Sequence, residues 1–265
     1  MKITFLGTGT SHGVPSIDCM IDGYRHCPKD VCRLSLSDAK HARTRSSILV
    51  EVGGKRVLVD VSPDFRQQAL REKIPAIDAV LITHCHADHI YGIPDIRSYT
   101  AHRPQPLDFY GSSESMTAVR ACFPYIFDPN AFRGGGIPKI TTNAVAAVFT
   151  LFEKTVMPLP VEHGDLAGCF GYRIDTLAYI PDIKSLPSQT RASLANLDVL
   201  ILNCLRETRE HASHLVLEQS MALARDIAPR KCYFIHMSHE INYEIDGAKL
   251  DPWMAFSYDG MTIRI

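Results

Sequence analysis

The chain has no long apolar run, no basic surplus and no internal repeat, and each absence removes a class of protein. Its longest nearly apolar stretch, Ala144 to Phe152, falls far short of the roughly 20 residues a membrane-spanning helix needs. The opening Met1-Lys2-Ile3-Thr4-Phe5-Leu6-Gly7 carries too few apolar residues before Gly7 for the core of a secretory signal. The expected compartment is the cytoplasm, with no membrane partner. Lys and Arg number 28 against 29 Asp and Glu, for a net charge of −1. Affinity for long nucleic acids rests on a cationic surplus, so no large nucleic-acid interface is expected. The segment Phe132-Arg133-Gly134-Gly135-Gly136-Ile137-Pro138 lacks the Lys-Ser/Thr that completes a nucleotide P-loop, and reads as a mobile loop. No low-complexity segment or long linker divides the chain, so residues 1–265 are expected to form a single domain.

Disulfides are also not expected, because eight cysteines in a reducing compartment seldom pair. Cys85, Cys122, Cys169, Cys204 and Cys232 sit among apolar or small residues and read as buried fillers. Cys19, Cys27 and Cys32 fall within fourteen residues of polar sequence and need a different account.

Apolar residues make up 46% and charged residues 22%, an ordinary globular balance. Short apolar, often β-branched runs recur at Ile3–Leu6, Ser47–Val52, Val57–Asp60, Ala79–Ile82, Leu107–Tyr110, Val156–Val161, Cys169–Ile174, Val199–Leu202, Cys232–Ile235 and Met261–Ile265. Bounded by Gly, Pro, Asp or Asn, they predict strands. Helices are predicted over Pro63–Lys73, with Ser62 as N-cap, over Ser113–Phe123 and over Leu215–Ile227. The dipeptide Gly53-Gly54 predicts a hairpin turn. The pattern implies a mixed α/β fold with two sheets inside helical layers.

One residue after Ala79-Val80-Leu81-Ile82 comes His84-Cys85-His86-Ala87-Asp88-His89, three imidazoles and one carboxylate in six residues. This is ligand chemistry for borderline divalent metals. In extended backbone His84 and His86 point the same way and can share one ion, while the following turn carries Asp88 and His89 toward a second. Two such ions need about six or seven protein ligands, so further His or Asp residues are sought at strand ends. His163, Asp182 and His236 fit. A carboxylate such as Asp182 suits the bridge between two cations. His239 lies three residues beyond His236, on the opposite side of an extended backbone, which points to a separate metal site.

This set, with the opening Phe5-Leu6-Gly7-Thr8-Gly9-Thr10-Ser11-His12-Gly13-Val14-Pro15 and the closing His236-Met237-Ser238-His239, resembles the metallo-β-lactamase superfamily. Within it the chain resembles the PhnP-type branch of phosphoribosyl cyclic phosphate phosphodiesterases. The resemblance implies a four-layer αββα sandwich with a binuclear site at one edge. It implies His84, His86 and His163 on one metal, Asp88, His89 and His236 on the other, and Asp182 bridging. It also implies a structural zinc held by Cys19, Cys27, Cys32 and His239 in a loop over about residues 16–40. The spacing here, Cys-x₇-Cys-x₄-Cys, is wider than that branch's compact pattern, and His26 stands beside Cys27 as a competing ligand.

The active-site ions implied are zinc or manganese, with iron as a further option, since His/Asp sets accept all three. Hydroxide bridging two such ions would attack a small cyclic or nucleotide-like phosphodiester. His214 and Asp88 are the catalytic candidates, His214 as general acid for the leaving oxygen; His211 is a weaker alternative. Asp60, ending a predicted strand, reads as a carboxylate that steadies a ligand histidine. His12 and Arg45 are near the expected site and receive no role. A thioester or lactone hydrolase is the alternative enzyme, and a non-catalytic metal-binding sensor the alternative of another class. A homodimer is the base-rate expectation for assembly.

Overall fold

The computed structural model describes residues 1–132 and 135–265; Arg133 and Gly134, inside the glycine-rich segment, lie outside the described residues. The chain opens as a meander in which β1 (Lys2–Gly7), β2 (Ser47–Val52) and β3 (Lys55–Val59) pair antiparallel. Gly53 and Gly54 join β2 to β3 with φ of 56° and 75°, the two left-handed positions of a type I′ turn. β4 (Ala79–Leu81), β5 (Leu107–Gly111) and β6 (Ile140–Ala144) then add in parallel. The second sheet begins with β7 (Phe149–Leu151), β8 (Lys154–Pro160), β9 (Phe170–Ile174) and β10 (Leu177–Ile180), all antiparallel. It continues in parallel through β11 (Val199–Asn203), β12 (Lys231–Ile235) and β13 (Met254–Phe256). β14 (Thr262–Arg264) returns to the first sheet, which it edges beside β1.

Side-chain alternation along these strands sorts the core into three sheets of contact. Val57 and Val59 face Val199 and Ile201 in the cluster between the sheets. Leu58 points the other way, into a cluster with Phe65, Met116 and Val119 from the helices Phe65–Arg71 and Ser113–Cys122. Leu200 and Leu202 likewise point outward, to Leu217, Met221 and Ala224 of the helix Leu217–Ile227. Helix, sheet, sheet, helix follow in order, which is the αββα sandwich.

Some element boundaries differ from those predicted. The helix expected at Pro63 begins at Phe65, with Ser62 Oγ accepting the Asp64 N–H in the preceding turn. The helix expected at Leu215 begins at Leu217, because Leu215 N–H is taken by Asn203 Oδ1 at 2.9 Å and Val216 bridges to Arg206. β6, β7 and β13 were not anticipated. β6 is the polar run Ile-Thr-Thr-Asn-Ala, and the other two are three-residue strands defined by their neighbours. No helix among the described residues is long and apolar enough to cross a membrane.

Candidate metal centre and active site

The residues that follow β3, β4, β8, β10 and β12 converge at one edge of the sandwich. After β4 the chain stays extended to His86 (φ −63°, ψ 151°), which caps the short helix Ala87–Ile90. That switch is why one six-residue motif faces two places: His84 and His86 precede the helix, while Asp88 and His89 ride on it. His84, His86, His163 and Asp182 bring one donor atom each within 4.8 Å of one another, and so do Asp88, His89 and His236. Asp182 joins the two groups, its Oδ2 3.3 Å from both His84 Nε2 and His89 Nε2, and its Oδ1 3.1 Å from His236 Nε2. Asp88 Oδ2 lies 3.4 Å from His89 Nε2 and 3.5 Å from His236 Nε2.

Fixed partners aim these rings. Asp60 Oδ2 accepts from His89 Nδ1 at 2.8 Å, and the Ser213 carbonyl accepts from His163 Nδ1 at 2.8 Å. When either ring is neutral, this bond puts its proton on Nδ1 and offers the inner nitrogen as a lone pair, the state a metal ligand needs. Thr83 Oγ1 sits 3.1 Å from His84 Nδ1 and also donates to Asp60. Asp60 and His236 each adopt φ +63° directly after a strand end, the strained backbone that functional sites retain.

The donor set fits a cation. His89 Nε2, His236 Nε2 and Asp182 Oδ1 are buried without a hydrogen-bond partner, a cost that natural interiors seldom carry uncompensated. Imidazole nitrogens also face one another, His84 Nε2 to His86 Nδ1 at 3.0 Å and His163 Nε2 to His86 Nδ1 at 3.4 Å. Burial, then the neighbouring His84 and His163, push the His86 pKa down to about 4. Burial would raise the Asp182 carboxyl, but His236 and His89 hold it well below its ordinary range. Burial opposes charge on His89 as well, yet Asp88, Asp182 and Asp60 carry its pKa well above the ordinary value.

A second cluster gathers Cys19, Cys27, Cys32 and His239 within 4.8 Å of one another. His239 Nδ1 is 3.1 Å from Cys19 Sγ and 3.4 Å from Cys32 Sγ. Three thiols and one imidazole make a closed tetrahedral donor set for zinc. His26 is not part of it; its ring is exposed and contacts Asp22 at 2.9 Å. Of the five cysteines read as fillers, Cys169, Cys204 and Cys232 are buried, but Cys85 is half-buried and Cys122, at the end of its helix, is exposed.

His214 lies beside the first cluster, its ring stacked on His236 at 4.8 Å between centroids and 4.7 Å from His163. It does not cap the helix that follows. Burial, reinforced by His236 and His163, pushes its pKa down to about 2. It lines a cavity of about 320 Å³ with His12, Arg206, Arg209, His211 and Glu240. Arg45 instead pairs with Asp64 at 2.9 Å. Sequence reasoning missed Thr83, Ser213 and Asn203, whose Nδ2 lies 3.2 Å from His214 Nδ1. Each is a small polar residue beside an apolar run or a histidine motif, a signal shared with ordinary turn residues.

Two stacked mixed sheets between helices, with His and Asp donors gathered at one edge, define a metallohydrolase fold. The chain belongs to the metallo-β-lactamase superfamily: the family described as the beta-lactamase superfamily domain matches residues 55–237. A diphosphatase of the PhnP family has a similar structure, with a TM-score of 0.87 and 34% identity, covering 100% of this chain and 97% of its own. An octanoyltransferase of Porphyromonas gingivalis is 36% identical over 98% of this chain, and the chain spans about half (51%) of that relative's length. Zn(2+)-bound PqqB from Methylobacterium extorquens shares the fold at TM-score 0.76 and 22% identity, with both chains covered in full.

Proposed function

We propose that this hydrolase cleaves a small phosphodiester, cyclic or nucleotide-like, with two divalent ions. In this reading His84, His86 and His163 hold one ion, Asp88, His89 and His236 the other, and Asp182 both. Such ions supply Lewis acidity: positive charge against substrate oxygens and a lowered pKa for water. Zinc is the first ion to try, since the PqqB relative of like fold is zinc-bound. Asp88 and Asp182, with Asp60 behind His89, provide fewer negative charges than two dications carry. The loaded site therefore keeps a positive surplus that draws an anionic substrate.

The observation that carries the reading is the cavity beside His214. Its volume of about 320 Å³ suits a small molecule, and Arg206, Arg209 and His211 stand on its wall. His214 would serve the leaving oxygen, and Arg206 and Arg209, which share Glu240 at 3.8 and 3.0 Å, would meet the remaining anionic part of the substrate. The likeness to a PhnP-family diphosphatase supports a phosphoryl substrate. The cluster of Cys19, Cys27, Cys32 and His239 takes a structural zinc, tying the loop at 16–40 to the segment that also bears His236.

A thioester substrate is the second reading, favoured by the relative named octanoyltransferase. The test is turnover of a ribose cyclic phosphate, bis(p-nitrophenyl) phosphate and an octanoyl thioester by zinc- and manganese-reconstituted protein. Phosphodiester cleavage is expected, with a large loss in His86→Ala and Asp182→Ala. Thioester cleavage alone would overturn the proposal.

A further inference from the structure

Asn203 is the last residue of β11 and is fully buried, between the segments that carry Asp182 and His214. Its carboxamide makes three contacts with chemically unambiguous partners. Oδ1 accepts from Leu215 N–H at 2.9 Å, and a backbone N–H can only donate. Nδ2 donates to the Pro181 carbonyl at 2.7 Å, which can only accept. The amide therefore has one orientation, and the group it presents to His214 Nδ1, at 3.2 Å, is an N–H donor. His214 Nδ1 must answer with its lone pair.

We infer that Asn203 is a positioning residue that holds His214 Nδ1 as a hydrogen-bond acceptor, so that His214 presents Nε2–H to substrate as a fixed hydrogen-bond donor. A protonated ring would set Nδ1–H against Asn203 Nδ2–H, two donors facing each other across a buried contact. An Nδ1–H tautomer would do the same. With Nδ1 engaged, the ring's remaining polar atom is Nε2–H; His214 lines the cavity and offers a ring nitrogen within 4.8 Å of donor atoms of Asp182 and His236. Orientation is fixed as well as protonation, since His214 is held between the His163 and His236 rings at 4.7 and 4.8 Å. A donor fixed before substrate arrives has no reorganisation to undergo as charge builds on a phosphoryl or leaving oxygen. This role for the Nε2–H rests on the proposed phosphodiester reading, whereas the tautomer itself does not.

The test is long-range ¹H–¹⁵N NMR of the imidazoles in the full-length, zinc-loaded protein near neutral pH, alongside phosphodiester turnover. Wild-type His214 is expected as the Nε2–H tautomer. Asn203→Asp keeps the acceptor for Leu215 N–H, loses the donor to the Pro181 carbonyl unless that carboxyl oxygen is protonated, and offers His214 an oxygen, so Nδ1 is expected to gain a proton in that variant. Turnover is then expected to fall about 10²-fold in kcat, the scale for misplacing one preorganised donor, when the variant is compared with wild type at equal metal content. An Nδ1–H or doubly protonated His214 in the wild type, measured without any substitution, would overturn the inference. So would an Nε2–H signature surviving in Asn203→Asp. The expected tautomers in a protein that cleaves no phosphodiester would uphold the lock and sink the proposed substrate instead.

Discussion

Asp60→Asn isolates the part that one buried carboxylate plays in metal binding. Asp60 is fully buried, and Thr83 N, Thr83 Oγ1 and His89 Nδ1 all donate to it, at 2.8 to 3.0 Å. Asparagine is nearly isosteric and tolerates the left-handed backbone at this position (φ +63°), so the exchange changes chemistry and leaves the turn intact. Its oxygen can replace Asp60 Oδ1 toward the Thr83 N–H. The amide NH₂ then takes the place of Oδ2, 2.8 Å from His89 Nδ1. A donor there forces His89 to accept at Nδ1 and to carry its proton on Nε2, the atom aimed at Asp88 and Asp182. Losing such an outer partner costs about 10- to 100-fold in metal affinity, or about 1.4 to 2.7 kcal/mol. Zinc titration of the metal-free protein against a chelating dye should show weakening confined to one of the two active-site ions. Metal-free Asp60→Asn should melt below the wild-type temperature even though every Thr83 donor retains an acceptor, because the buried His89 ring loses the carboxylate that supports its charge. Unchanged affinity at both positions, within about twofold, would refute the argument that Asp60 sets the His89 tautomer.

Other consequences can be checked with simpler measurements. A Cβ at Gly92 would lie 2.0 Å from the Ser62 carbonyl oxygen and 2.9 Å from Phe65 Cβ. Gly92→Ala should therefore cost about 1–3 kcal/mol in urea unfolding and weaken metal binding, since the displaced segment carries Asp88 and His89. Cys32→Ser should remove one zinc per chain by elemental analysis and lower the melting temperature, while His26→Ala leaves the zinc count unchanged. Burial would raise the Asp246 carboxyl, but hydrogen bonds from Lys249 and Lys29 hold it below the ordinary 3.8. Its stabilisation is complete above that value and is lost as pH falls through the lowered native one. The melting-temperature gap between wild type and Asp246→Asn should accordingly narrow from about pH 6 to about pH 3, and a gap independent of pH would contradict the assignment.

The candidate site was more legible in the sequence than the elements that carry it. His84 through His89 announced themselves because metal chemistry demands particular residue types at short spacing, and a strand followed by a tight turn satisfies that spacing locally. His163, Asp182 and His236 were found as strand-end residues in a chain short of ligands, and the structure places them all at the same edge. Asn203 and Ser213 were not legible. Ser213 acts through its backbone carbonyl, which any residue supplies. Asn203 closes an apolar strand as a hundred harmless asparagines do, and only the folded contacts with Pro181, His214 and Leu215 set it apart. β13 escaped notice because three residues, Met254 to Phe256, become a strand only when β12 offers an edge to pair with.

The pairing of β14 with β1 joins residues 262–264 to residues 2–4. On the ribosome, the strand made earliest in this sheet is therefore the one sealed last. Until residues beyond 260 emerge, β1 has β2 on one side and an open row of backbone groups on the other, with Ile3 and Phe5 awaiting their place in the core between the sheets. An edge left open for so much of synthesis invites pairing with other chains. Soluble yield in the cell should then respond to translation speed and chaperone supply more steeply than the stability of the finished sandwich would suggest.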